Sequence, residues 1–160
     1  MRISTKGRYA LRLMLDLAVN EGDHYISIKN ISKRQEISDK YLEQIINQLC
    51  KAGFVKSARG VNGGYRLSKL PQEYTVGMIL NVMEGSLAPV PCLDDDTNQC
   101  PQSNACITLS VWEKIHHAVQ NVVDHITLAD LAQQYFEKQN SGGASLRCEQ
   151  DQKTAQFELV

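Results

Sequence analysis

The sequence predicts a mainly α-helical chain with one small β-hairpin, in the order of a winged helix-turn-helix domain followed by a long dimerisation helix. Three observations carry this. Three capped amphipathic segments follow one another before Gly53, two short alternating segments flank Arg59-Gly60-Val61-Asn62-Gly63-Gly64, and a long apolar stripe opens near Thr108. With 160 residues, 42% hydrophobic and 22% charged, the chain has the size and composition of one globular domain. The longest apolar run, Tyr9 to Val19, is broken by Arg12 and Asp16 and is too short to span a membrane. The N-terminal residues lack the pattern of a secretory signal, so a cytoplasmic protein is expected.

In order, Ser4 or Thr5 caps a first helix whose Ala10, Leu13, Met14, Leu17 and Ala18 recur with the 3.6-residue period. A strand-like piece, 24–27, precedes a second helix from Ile28 to Gln35, capped by Ser27. Ser38 then caps a third helix from Asp39 to about Ala52, which Gly53 ends. The hairpin joins Phe54–Ala58 to Tyr65–Ser68. Thr75 caps a fourth helix, Val76 to Glu84, stopped by Gly85. An irregular proline- and aspartate-rich loop leads to Cys106. The long helix then carries Val111, Ile115, Ala118, Val119, Val122 and Ile126 on one stripe, with Trp112 beside it. So long a stripe, with little chain left to cover it, predicts burial against a second copy. Thr127 caps a last short helix, from Leu128 to about Phe136. The expected organisation is therefore a DNA-binding domain at 1–85, a cysteine loop at 86–107, the dimerisation helix and short terminal helix at 108–137, and a disordered tail at 138–160.

Charge divides the chain. The first 80 residues hold 13 Lys and Arg against 7 Asp and Glu, whereas the last 80 hold 4 against 11. A cationic half joined to an acidic one is the pattern of a nucleic-acid-binding end attached to something else. On the third helix, Leu42, Ile45, Ile46 and Leu49 form the inward stripe. Lys40, Tyr41, Glu43, Gln44, Asn47 and Gln48 are left outward, with amide and hydroxyl groups suited to base edges and phosphates. A plain solvated face is the competing reading of such a row. The hairpin tip pairs Arg59 with glycines whose missing side chains allow close backbone approach, a wing able to push a guanidinium into a minor groove.

Five cysteines without an export signal argue against a disulfide framework. Cys92, Cys100 and Cys106 crowd into 15 residues, with seven and then five residues between them. This spacing is not that of paired zinc ligands. It suits the larger body of an iron–sulfur cluster, with a thiol redox pair or unliganded cysteines as alternatives. Cys50, beside the inward stripe of the third helix, is expected to be an inert, partly buried thiol.

Four stretches together carry a family resemblance: residues 1–10, Ile37-Ser38-Asp39-Lys40-Tyr41-Leu42-Glu43-Gln44, Arg59-Gly60-Val61-Asn62-Gly63-Gly64-Tyr65, and the three-cysteine loop. They resemble the Rrf2 family of bacterial winged-helix repressors, and most of all its iron–sulfur-sensing branch. A nitric-oxide-sensing and a cysteine-metabolism branch are its relatives. The resemblance spans Met1 to about Tyr135. It implies a homodimer crossed through the long helix, bound to partly palindromic promoter DNA, with iron–sulfur assembly machinery as a further partner. It implies Tyr41, Glu43 and Gln44 on the helix and Arg59 on the wing as DNA-facing residues, and Ser38, Lys40, Gly60, Gly63 and Gly64 of the same two elements complete the candidate DNA-binding set. Cys92, Cys100 and Cys106 match the cluster ligands, a two-iron cluster ranking ahead of a four-iron one. The iron–sulfur branch places a histidine three residues after its third cysteine, where this chain has Leu109. The nitric-oxide branch uses an acidic residue where this chain has Arg8. The fourth ligand is therefore open among Glu43, His116, His117 and an exogenous thiol or water. His116 stands about 15 Å along the helix from Cys106 at the helical rise, so it would reach a cluster only from a second copy. The rival readings are a repressor that senses thiols or a partner protein without a cluster, and a metal-dependent enzyme. No nucleophile–base set, phosphate loop or HExxH helix supports the last.

Overall fold

The computed structural model describes residues 3–95 and 97–155, with side chains as far as Ser141. The chain folds as α1 (Thr5–Val19), α2 (Ile28–Gln35), α3 (Asp39–Lys51), β1 (Val55–Ala58), β2 (Gly64–Leu67), α4 (Val76–Glu84), α5 (Leu109–Val123) and α6 (Leu128–Ala155). Three single turns of 3₁₀ helix join them, at Pro71–Glu73, Pro91–Leu93 and Ser103–Ala105. The last two lie in the loop expected to hold no regular element. Proline at the first position of Pro91–Leu93 presets the turn.

Three of the predicted caps act as the sequence leads one to expect, and Ser38 does not. Ser4 Oγ accepts from the Gly7 N–H, Ser27 Oγ from the Asn30 N–H and Thr75 Oγ1 from the Met78 N–H. Ser38 occupies the cap position of α3 but makes no side-chain capping bond, so its hydroxyl is left over. The turn between α2 and α3 bends at Glu36, in the left-handed region at φ 55°. Ser32 secures that turn, its Oγ donating to the Ile37 carbonyl at 2.7 Å.

α1 is the central element. Its Ala10, Leu13, Met14 and Leu17 pack with Ile31 of α2, Leu42, Ile45, Ile46 and Leu49 of α3, Val55 and Leu67 of the hairpin and Ile79 of α4. Each of the leucine, isoleucine, valine and methionine side chains among them, removed from water, contributes about 1.5–3 kcal/mol. β1 and β2 pair antiparallel with Val55 opposite Leu67 and Ala58 opposite Gly64. Ile26 adds a single bridge to Tyr65, which is all that forms of the expected strand at 24–27. Tyr74 is fully buried, its hydroxyl donating to the Phe54 carbonyl and accepting from the Lys69 N–H, both at 2.9 Å.

Three expectations for the C-terminal part need correction. α5 ends at Val123, so Ile126 lies in the following turn, where its carbonyl accepts from the Val76 N–H. α6 does not stop near Phe136: Gln133 donates to Glu137 at 2.9 Å and Ser141 to the Glu137 carbonyl, carrying the helix through 138–141. The backbone helix runs on to Ala155, through most of the stretch expected to be disordered, while side chains from 142 onward and residues 156–160 lie outside the description. α6 also packs into the common core. Thr75 and Thr127 form a bridge, Leu128 is fully buried in the common core, and the helix packs along α1.

Candidate nucleic-acid interface and cysteine loop

α3 turns its apolar stripe wholly inward and leaves Ser38, Lys40, Glu43, Gln44 and Asn47 exposed. Tyr41 and Gln48 are half-buried, so the outward row is narrower than the sequence suggested. Tyr41 meets Tyr9 of α1 edge to face, with centroids 5.7 Å apart and planes at 86°. The Arg12 guanidinium lies 5.4 Å from the Tyr9 ring centroid, and its Nε donates to Gln35 Oε1 at the end of α2 at 3.1 Å. This brace of Arg12, Tyr9 and Tyr41 was not legible from the chain, because nothing in local spacing couples residue 9 to residue 41.

The wing follows at once. Arg59, Gly60, Val61 and Asn62 are exposed and Gly63 and Gly64 half-buried. Among the described residues the one ion pair is Arg34–Asp16, so Arg59 carries an unpaired charge. Gly60 and Gly64 hold φ of 107° and 152°. A Cβ at Gly64 would strike the Ile26 carbonyl, and one at Gly63 the Ala58 carbonyl. At these positions the hairpin requires glycine for its own geometry. Beside the wing, Arg66 stacks 4.8 Å from the centroid of Tyr25.

The cysteine loop leaves α4 at Gly85 and returns at α5. Cys92 lies in the turn Pro91–Leu93 and is half-buried, as is Cys100, whose N–H donates to Asn98 Oδ1 at 2.9 Å. Cys106 is exposed at the approach to α5. Its thiol is pushed below the ordinary value by the Thr108 hydroxyl 3.4 Å from its Sγ, aided by the N–H groups of Leu109 and Thr108. Burial pushes the Cys50 thiol up, as expected of an inert thiol on α3. Among the described residues no three His, Cys, Asp or Glu side chains come together as a metal-binding group. His116 and His117, with ring centroids 6.1 Å apart, face a cavity of about 410 Å³ with Asp94, Asp95, Glu113 and Asp124, and none of the three loop cysteines lines it. Glu43 is on the outward face of α3. The structure thus gathers the candidate DNA residues onto one helix and one wing, and does not gather the candidate metal ligands.

On α5, Val111, Trp112, Ile115 and Val122 stay 37–58% exposed. Ile115, Ala118, Val119 and Val122 form an apolar groove with Ile3, Leu80 and Leu87. No helix among the described residues is long and apolar enough to cross a membrane.

A helix-turn-helix with a polar outer face, followed directly by a cationic, glycine-tipped wing, defines a winged-helix DNA-binding transcription regulator. Residues 3–134 match the family model described as "Rrf2: Iron-dependent Transcriptional regulator", and the chain belongs to the Rrf2 family. It is 42% identical to the HTH-type transcriptional regulator CymR of Bacillus subtilis over 132 residues, 82% of this chain and 90% of that one. It is 36% identical to the HTH-type transcriptional regulator IscR of Aliivibrio salmonicida over 149 residues, 90% and 88% of the two chains. Among solved structures, T. potens IscR superposes with a TM-score of 0.70 at 42% identity, covering 87% of this chain and 91% of that one. The global cysteine regulator CymR of B. subtilis gives 0.69 at 39%, covering 83% and 97%. These relatives are transcription regulators, and the chain is a regulator rather than an enzyme. The likeness to CymR and to IscR is of comparable strength.

Proposed function

We propose that this regulator is a cytoplasmic homodimeric repressor in which the state of the cysteine loop sets affinity for promoter DNA. The supporting observation is the position of the loop. Three free thiols sit on the one irregular segment that joins the DNA-binding core to α5, the helix with the unpartnered apolar face. In this reading α5 pairs with its copy. Ser38, Lys40, Tyr41, Glu43 and Gln44 meet a major groove, while Arg59 enters the adjacent minor groove with the backbone of Gly60, Gly63 and Gly64 close to phosphate. A dimer must seat two recognition helices about 34 Å apart on the duplex, so a small change in their separation lowers affinity without altering either contact set.

The donor set fits an iron–sulfur cluster in chemistry and falls short of it in number. Thiolates are the usual ligands of such clusters, the loop supplies three, and Cys106 is already biased toward thiolate. Cys92, Cys100 and Cys106 would hold the group, and Leu109 offers no fourth donor. A bound cluster supplies redox- and nitric-oxide-sensitive chemistry, with the cellular cluster-assembly machinery as its source and two irons preferred over four. The separated state of the cysteines favours a second reading, a cluster-free repressor sensing thiol oxidation or a partner protein as the CymR-like kinship suggests. Protein purified without oxygen distinguishes them by iron and acid-labile sulfide content. Near-equal iron and sulfide, lost in Cys92→Ala, Cys100→Ala or Cys106→Ala, supports the cluster. Iron-free protein that still binds DNA supports the second.

A further inference from the structure

Between Ala58 and Tyr65 the wing carries only three side chains larger than hydrogen, those of Arg59, Val61 and Asn62. The Gly63 N–H donates to the Gly60 carbonyl at 3.0 Å, which makes Val61 and Asn62 the two central residues of the turn. Both keep negative φ, since Glu36 alone among described non-glycine residues has a positive one. A turn of this kind favours proline at its first central position and accepts most other residues. Valine there is compatible with the turn and not required by it. It touches little of its own chain, with 104% relative exposure, above every other large hydrophobic residue described, Ile107 following at 91%. An apolar side chain held in water at the tip, on the same tight turn as the exposed, unpaired Arg59 and the exposed Asn62, is free to meet a partner surface.

The geometry points to a three-residue reader: we infer that Val61 and Asn62 extend the minor-groove contact of Arg59, Val61 packing on the sugar wall and Asn62 hydrogen-bonding at the groove floor. The inference rests on the reading that the wing enters the minor groove. The chemistry suits that groove. Its floor offers acceptors at A·T pairs and an added amino donor at G·C. Arginine only donates, whereas an asparagine amide both donates and accepts, so Asn62 adds a choice of base pair that Arg59 cannot make. Minor-groove proteins commonly set an apolar side chain beside such polar groups. The glycines at 60, 63 and 64 fix the tip, so the three side chains are presented together rather than independently.

The test selects duplexes from a randomised library with the full-length protein, then measures affinity on the winning duplex and on a copy whose flanking A·T and G·C pairs are exchanged. Arg59→Ala, Val61→Ser and Asn62→Ala are compared with the parent, and equal melting temperatures establish that each variant is folded. The expected result is a loss of about tenfold or more for Arg59→Ala, a loss of about threefold to tenfold for Val61→Ser on either duplex, and for Asn62→Ala a collapse of the discrimination between the two duplexes. Loss with Arg59→Ala alone, the other two variants matching the parent in affinity and discrimination, overturns the inference and leaves the wing reading intact. Three neutral variants overturn both.

Discussion

The carboxylate of Glu84, at the end of α4, holds the start of α1: its Oε1 accepts from the Ser4 N–H at 3.1 Å and from the Ser4 hydroxyl at 2.7 Å. Ser4 Oγ in turn accepts from the Gly7 N–H. The cysteine loop departs one residue later, so the same junction anchors the loop and the first helix of the DNA-binding core. A negative charge near a helix N-terminus also complements the helix dipole.

Glu84→Ala is therefore expected to lower unfolding free energy by about 1–2 kcal/mol, the range for losing a helix cap and leaving its donors unpaired. Gly7→Ala should displace the same carboxylate, since a Cβ at Gly7 would occupy its position, and so should forfeit part of the roughly 0.5–1 kcal/mol that alanine ordinarily gains over glycine in a helix. Urea denaturation at fixed protein concentration measures both. Parental stability in Glu84→Ala would mean that the carboxylate does not hold the start of α1.

Asp16 is 2% exposed and accepts two bonds from Arg34, at 3.0 and 2.7 Å, and one from Gln35 at 2.9 Å. The pairing pushes the Arg34 guanidinium above its ordinary pKa, chiefly through the hydrogen bond to Asp16. Asp16→Ala strands both donors and should cost about 2 kcal/mol, discounted because Arg34 is 37% exposed. Arg34→Ala should also destabilise, by leaving a carboxylate in the core with one partner. A double variant less damaged than the sum of the two would verify the coupling.

Thiol reactivity should rank by environment. Cys106 is exposed and shifted toward thiolate, whereas burial shifts Cys50 away from it. Because the thiolate is the nucleophile, a lowered pKa means that Cys106 reaches its full alkylation rate at lower pH than an ordinary cysteine. Cys50 should need higher pH and react last. Mass spectrometry of protein quenched after timed iodoacetamide exposure reads the order. Cys50 reacting before Cys106 would contradict it.

The α5 face predicts the oligomeric state. Val122→Asp places a charge on a residue 58% exposed in the single chain, which does little to the isolated fold and much to a dimer packed there. Sedimentation should show a dimeric parent and a monomeric variant, with DNA affinity lower by about a hundredfold or more, since one half-site replaces two. A dimeric variant would move the interface elsewhere.

Much of the fold was legible in the sequence because it is written locally. Ser4, Ser27 and Thr75 announce their helices, Gly53 and Gly85 end α3 and α4, and the stripe Leu42, Ile45, Ile46, Leu49 fixes the inner face of α3 by periodicity alone. The departures have non-local or subtle causes. Glu36 takes a left-handed turn without glycine, and the Tyr9–Tyr41 contact and the Glu84–Ser4 cap join residues far apart in the chain. α6 outruns its apolar stretch on polar i,i+4 pairs, which a search for hydrophobic period passes over. On the cysteine loop, spacing identified the thiols and could not say whether the chain draws them together.

The direct test of the central claim is DNA affinity, by fluorescence anisotropy, of one oxygen-free preparation on its selected duplex before and after stripping iron with a chelator, and again after mild thiol oxidation. The account predicts that at least one treatment changes affinity by about tenfold or more in the parent and changes nothing in Cys92→Ala/Cys100→Ala/Cys106→Ala. Equal affinity in all three states of the parent would contradict it, leaving a regulator whose cysteine loop takes no part in binding DNA.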